Sequence, residues 1–278
     1  MQRVFSKYSA NGNDFIIFDD RDNSLEGISS KTWSNLCHRN WGIGADGVLL
    51  FKNSSLDDCL YQMRYLNSDG HEVGMCGNGA RALADYAKSL NQFDQLADSC
   101  SKSDFYFQTK NAKYRAIIQA GKVELLMSEF SDYARFDLAD FADELNALNY
   151  GFADTGVPHC MFELEDIERP QLMEIARKVR FDKRFPEGTN INFYQLSDGL
   201  SNTFKIRTFE RGVDAETLAC GTGVVAVARH LHHEGPKHSL WTFSSPGGEL
   251  RVELRAGNFF FSGDIRRCFD GSVDFSQY

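Results

Sequence analysis

The chain reads as an α/β protein of the α+β type. It is built from two structurally similar domains related by duplication, each a curved sheet or barrel around a central helix. Three observations lead there. First, two matching stretches, Met75-Cys76-Gly77-Asn78-Gly79-Ala80 and Ala219-Cys220-Gly221-Thr222-Gly223-Val224, fall in opposite halves of the 278 residues. Second, three more segments recur in the same order. Met63-Arg64-Tyr65-Leu66-Asn67 matches Ile206-Arg207-Thr208-Phe209-Glu210, Phe105-Tyr106-Phe107 matches Trp241-Thr242-Phe243, and residues 115–121 match 251–257. Ordered long-range matches mark a duplication rather than a short-period solenoid. Third, the run Val224, Val225, Ala226, Val227, Ala228 is apolar almost all round, as in a helix enclosed by other structure. The expected division is residues 1–122 plus 266–278, carrying Cys76, and 123–265, carrying Cys220.

Taken in order, residues 3–7 and 15–18 read as strands around the polar loop Ser9 to Asp14, and Ser30 to Arg39 as a helix. Gly42-Ile43-Gly44-Ala45-Asp46-Gly47 is a literal GxGxxG. A dinucleotide site needs a strand before it and a helix after it, whereas here a helix precedes and the strand Val48–Phe51 follows, so it is a turn. Residues 61–66 form a strand, and the first cysteine loop leads into a helix over 79–90. The segment 92–104 is polar. Tyr114–Gln119 and Lys122–Met127 form a hairpin about Ala120-Gly121, and the second half repeats the order.

Composition bounds the function. Charged residues make up 25%, hydrophobic ones 42%, and 23 phenylalanines favour strand-rich structure with aromatic packing. A net charge of −9 argues against a general affinity for nucleic acid or anionic membrane. No secretory h-region and no apolar run of spanning length is seen, so a cytoplasmic protein is expected. The seven cysteines, an odd number without a CxxC pair, read as reduced thiols. Cys37, Cys59, Cys100 and Cys268 read as small buried hydrophobes. His230, His232 and His233 precede Gly235-Pro236 and read as a solvated helix end that suits the helix dipole, rather than as a metal cluster.

Each matched cysteine has a glutamate four residues before it, Glu72 and Glu216, and a Gly-x-Gly beginning one residue after it. A thiol at a helix N-terminus sits among unpaired N–H groups at the positive end of the dipole, which lowers its pKa towards neutrality. The glycines let backbone N–H groups approach an anion. Two such sites related by duplication point to one thiol on each face of a carbon atom. One thiolate then removes a proton, the opposite thiol returns one, and the carboxylate of the carbanion rests on the helix N-termini. That scheme requires no pyridoxal phosphate, and no cofactor or metal motif is evident.

The residues that carry this chemistry resemble the diaminopimelate epimerase family of cofactor-independent racemases. The resemblance runs through Asn11-Gly12-Asn13-Asp14-Phe15, Asn67-Ser68-Asp69-Gly70 with Glu72 and Met75 to Arg81, Pro158-His159-Cys160, Phe185-Pro186-Glu187-Gly188-Thr189-Asn190, and Glu210-Arg211-Gly212 with Glu216 to Gly223. It implies a site in the cleft between the two domains, with Cys76 and Cys220 as the acid/base pair. His159 and Glu210 would hydrogen-bond near the reacting centre and help set protonation states. Asn13, Asn67, Asn190 and Arg211 would line the substrate pocket. Gly77-Asn78 and Gly221-Thr222 would cradle the reacting carboxylate. It further implies a small amino-acid substrate, a role in lysine and peptidoglycan precursor synthesis, and a homodimer.

Three departures bear on substrate choice. Val157 stands where the family commonly has asparagine, His71 interrupts the Asp-Gly-Ser-Glu pattern, and the run from Arg211 to Glu216 is one residue longer than usual. Rival readings are a racemase of the same fold acting on another amino acid such as histidine, and a thiol-dependent hydrolase or transferase with His159 as accessory. A non-catalytic amino-acid-binding module is the third.

Overall fold

A computed structural model describes residues 1–90, 102–127, 136–197 and 199–278. Cys100 and most of the polar segment 92–104 lie outside the described residues. The chain divides into two compact units, Met1–Leu126 with Ser262–Tyr278, and Met127–Phe261.

Unit 1 holds β1 (Gln2–Ala10), β2 (Asn13–Asp19), α1 (Ser30–Cys37), β3 (Gly47–Lys52), β4 (Cys59–Asn67), β5 (Glu72–Val73), α2 (Gly77–Ser89), β6 (Lys102–Gln108), β7 (Lys113–Gln119) and most of β8 (Lys122–Met127). Unit 2 holds α3 (Ala139–Leu145), β9 (Asn149–Asp154), β10 (Pro158–Glu163), α4 (Leu172–Arg180), β11 (Asn190–Leu196), β12 (Thr203–Glu210), β13 (Ala215–Thr217), α5 (Gly221–Glu234), β14 (Leu240–Ser245), β15 (Gly248–Arg255) and most of β16 (Asn258–Gly263). The chain then returns to unit 1 as β17 (Ile265–Asp274), which pairs antiparallel with β1.

Strand pairing repeats from one unit to the other. In unit 1, β1–β2 is antiparallel, β2–β3 parallel, β3–β4 antiparallel, β4–β6 parallel and β6–β7 antiparallel. In unit 2, β9–β10, β10–β11, β11–β12, β12–β14 and β14–β15 run through the same alternation. The hairpin turns repeat too. Ala120 and Gly121 have φ of 50° and 77°, and Ala256 and Gly257 have 49° and 80°. Positive φ at both central residues is the turn whose twist matches two antiparallel strands.

Each sheet is covered on both faces. In unit 1, Ile16, Phe18, Val48 and Leu50 pack with Trp33 and Leu36 of α1. The alternate residues Phe15 and Leu49 contact α2 at Gly79, as the two-residue period of a strand requires. In unit 2, Cys160, Phe162, Ile191 and Phe193 pack with Leu172, Ile175 and Val179 of α4, and α5 lies against β9, β10, β11 and β15. Both cysteine helices are interior elements: Ala80 to Ala84 and Val224 to Ala228 are all buried. Small side chains let the backbone of each helix fit within its sheet.

The GxGxxG turn has no groups to offer a phosphate. The N–H groups of Gly42, Ile43, Gly44 and Ala45 are donated to the carbonyls of His38, Leu36, Leu36 and Cys37. Two expectations need correcting. His230 is fully buried, edge-on to Tyr194 at 6.5 Å between ring centroids, so only the end of α5 beyond it is a solvated helix end. Cys268, expected to be buried, is exposed on β17. Among the described residues, no three His, Cys, Asp or Glu side chains converge as metal ligands. No helix among them is long and apolar enough to cross a membrane.

Candidate active site

Cys76 is the N-cap of α2, in extended conformation, and its Sγ accepts from the Gly79 N–H at 3.4 Å. The side chain is partly exposed. Behind it runs a chain of directed hydrogen bonds. Asn13 donates to Asp46 at 3.2 Å, Asn78 donates to Asn13 Oδ1 at 2.5 Å, and Arg81 donates to Asn78 at 3.0 Å and to Asn11 at 2.6 Å. Arg81 is fully buried, and a thiolate at Cys76 attracts its charge. Burial lowers the Arg81 guanidinium to about 9, against the raising effect of the Cys76 and Asp264 charges, so a cation stands behind Cys76 at neutral pH.

Cys220 is the N-cap of α5, and its surroundings differ. It is buried, 3.4 Å from the Thr222 hydroxyl, and within reach of the Glu210 charge. Glu210 in turn accepts from the Thr217 hydroxyl at 2.6 Å. Burial, with the Glu210 charge second, pushes the Cys220 thiol well above its ordinary range. The fall towards neutrality expected at a helix N-terminus is therefore reversed here, because desolvation of a buried thiolate outweighs the dipole. Burial also raises Glu210 above the usual carboxylate range, against the lowering effect of the bond from Thr217.

His159 lies on β10, fully buried, with Nδ1 3.0 Å from Asn192 Nδ2. Burial, reinforced by the Arg211 charge, lowers its pKa to about 3, so the ring is neutral at physiological pH. Asn190 is a brace. Its Nδ2 donates to the Pro158 carbonyl at 3.0 Å and its Oδ1 accepts from the Arg211 N–H at 2.8 Å. It thereby fixes where the Arg211 side chain starts, and that guanidinium makes no ion pair among the described residues. Asn67 ends β4 at the position matching Glu210 on β12, above a turn in which its carbonyl accepts from the Gly70 N–H at 2.8 Å. Gly77 and Gly221 open the two helices, and a Cβ on Gly221 would sit 2.7 Å from the Phe261 ring.

Unit 1 thus holds Cys76, Gly77, Asn13 and Asn78 around the start of α2, with Asn67 at the end of β4. Unit 2 holds Cys220, Gly221, Thr222 and Glu210 around the start of α5, with His159, Asn190 and Arg211 on the adjoining strands. The glutamates that precede the cysteines have a structural task. Glu72 accepts from Arg64 Nε at 2.8 Å, and Glu216 takes a two-pronged pair from Arg207 at 2.7 and 2.7 Å. Each pins a short strand to its neighbour just before the cysteine turn. The sequence pattern assigns no role to Arg81, Asn192 or Thr208: Arg81 joins Asn78 to Asn11 across 70 residues, and Asn192 meets His159 and Thr208 at separations of 33 and 16. A polar residue among apolar ones on a strand is the signal that could have found Asn192.

Comparison with known proteins follows this geometry. The family model described as Diaminopimelate epimerase matches residues 5–126 and 151–260. The chain is 34% identical to the diaminopimelate epimerase of Archaeoglobus fulgidus over all of itself and 98% of that protein. It is 32% identical to the Aquifex aeolicus diaminopimelate epimerase, covering 97% of each. Among solved structures, a Bacillus anthracis phenazine biosynthesis protein of the PhzF family aligns with a TM-score of 0.70 at 13% identity, over 98% of this chain and 99% of its own. A hydroxyproline epimerase from Agrobacterium vitis aligns with 0.64 at 14% identity, over 98% and 92%. At those identities the structures speak for the fold, a mixed α/β architecture shared with duplicated-domain epimerases and racemases. The sequence matches say more: this chain belongs to the diaminopimelate epimerase family.

Proposed function

We propose that the protein interconverts LL- and meso-2,6-diaminopimelate by passing the Cα proton between two thiols, Cys76 and Cys220, one on each face of the reacting carbon. One thiolate takes the proton and becomes a thiol. The opposite thiol returns a proton to the other face and becomes the thiolate, ready for the reverse turnover. The N–H groups at Gly77-Asn78 and Gly221-Thr222 receive the carboxylate, whose charge grows as the carbanion forms. Asn67 and Arg211 hold the far end of the substrate, and Arg211 can grip its carboxylate with two parallel N–H donors. Asn13 and Asn190 brace these groups.

The observation that carries this reading is the unequal pair of cysteines at equivalent helix starts in a chain of this family. Cys76 lies near a buried cation, and Cys220 is buried against a carboxylate. One thiolate and one thiol is the resting state a two-base racemisation needs. In this reading the enzyme is a cytoplasmic homodimer, and its product serves lysine and peptidoglycan precursor synthesis. The test is a panel of amino acids in deuterated, reducing buffer. Wash-in of deuterium at Cα of diaminopimelate, with little at histidine or proline, supports it. Preference for a single-centre amino acid overturns the substrate, and hydrolysis or group transfer without wash-in overturns the reaction.

A further inference from the structure

The inner face of unit 2 carries polar residues where the fold does not call for them. His159 on β10, Asn192 on β11 and Thr208 on β12 are all buried, and Asn192 lies directly opposite Thr208. In unit 1 the same registers are taken by Phe15, Leu49 and Tyr65, where Phe15 and Tyr65 meet edge-on at 6.0 Å. The cysteine helix comes down on each trio at a matching glycine. A Cβ on Gly79 would meet Leu49 at 3.2 Å and Phe15 at 3.4 Å, and one on Gly223 would meet Asn192 Oδ1 at 2.3 Å and the Cys220 Cβ at 3.3 Å. A trio of two apolar side chains and a tyrosine ring therefore satisfies the architecture. The polar trio, desolvated beside the start of the Cys220 helix, needs a separate reason.

Its hydrogen bonds leave one arrangement. The Cys160 carbonyl can only accept, so the Asn192 atom 3.2 Å from it is the amide nitrogen. The Asn192 oxygen then receives the Thr208 hydroxyl at 3.0 Å. The second proton of the same nitrogen faces His159 Nδ1 at 3.0 Å, which makes Nδ1 the acceptor. The ring proton must sit on Nε2, which is buried with no hydrogen-bond partner among the described residues. A buried donor held in this way asks for an explanation, and a ligand that brings an acceptor supplies one.

We propose that Asn192 is a positioning residue that locks His159 as the neutral Nε2–H tautomer, so that Nε2–H donates to an oxygen of the substrate carboxylate. A donor suits a carboxylate and not an ammonium, which has no lone pair to accept with. The proposal deepens the epimerase reading and rests on it for the identity of the acceptor. Its first test needs no substrate. Nitrogen NMR of the protein labelled in histidine should show His159 with a pyrrole-type Nε2 and a pyridine-type Nδ1, and the opposite tautomer overturns the proposal whatever the enzyme acts on. The second test is Asn192→Asp, whose carboxylate accepts from Nδ1–H and should reverse the tautomer. Epimerisation kcat should then fall roughly tenfold to a hundredfold, with KM changed much less. A reversed tautomer with unchanged kcat overturns the role in turnover, and an unreversed tautomer overturns the lock. If Asn192→Asp fails to fold, the wild-type spectrum alone decides.

Discussion

Replacing Gly223 with alanine places a methyl group where Asn192 already stands. The new Cβ would lie 2.3 Å from Asn192 Oδ1, and the amide is held at both ends by Thr208, His159 and the Cys160 carbonyl. Overpacking of this kind costs about 1–3 kcal/mol, and each buried hydrogen bond lost in the shift adds about 1 kcal/mol. The better helix propensity of alanine returns at most about 1 kcal/mol. A net loss of about 2 kcal/mol is expected, with loss of activity because Cys220 begins the same helix. Gly79→Ala is the internal control. Its methyl would meet the ends of Leu49 and Phe15 at 3.2 and 3.4 Å, which can yield by a few tenths of an ångström. It should stay within about 1 kcal/mol of the parent. Urea unfolding midpoints measured side by side separate the two. Equal midpoints, or a greater loss in Gly79→Ala, would refute the reasoning.

Val157→Asn should restore a polar contact at the far end of the substrate. A hydrogen bond to a charged group is worth about 1.5–3 kcal/mol, so KM for LL-diaminopimelate should fall roughly ten- to a hundredfold, and an unchanged KM would show that the position does not face the substrate. Glu216→Gln removes the charge from a half-buried, two-pronged pair with Arg207 and should lower stability by about 1 kcal/mol while kcat stays near that of the parent. A large loss of kcat at full stability would instead make Glu216 part of the chemistry. His159 is neutral in the folded protein down to about pH 3, whereas in the unfolded chain it takes up a proton near its ordinary value of about 6.5. Between those values the unfolded state binds more protons, so this group makes stability fall on acidification, by at most about 1.4 kcal/mol per pH unit. The difference between parent and His159→Asn unfolding curves from pH 7 to 4 isolates it. Parallel curves would contradict the assignment.

What could be read from the chain divides along physical lines. The cysteine-glycine stretches, the two Ala-Gly hairpin turns and the small-residue helices are local patterns, and local patterns carry their own backbone geometry. The duplication was legible for the same reason, since both copies retain their turn residues. Tertiary partners were not. Glu72 and Glu216 looked like part of a reactive signature, yet their charges belong to Arg64 and Arg207 on neighbouring strands. His230 sat in a basic helix end and is buried against Tyr194. The rise of the Cys220 pKa could not be foreseen from a helix N-terminus alone, because its causes are burial and a carboxylate ten residues earlier in the chain. Asn192 was hidden most fully, since its role depends on three partners brought together by strand register.

The most direct measurement is proton exchange at Cα in the two single-cysteine variants, Cys76→Ala and Cys220→Ala, each first shown to be folded. With LL- and meso-diaminopimelate in deuterated buffer, neither variant should epimerise either isomer. Any residual deuterium wash-in should occur without inversion and from only one of the two isomers in each variant. Substantial epimerisation by either variant would contradict proton transfer between the two thiols.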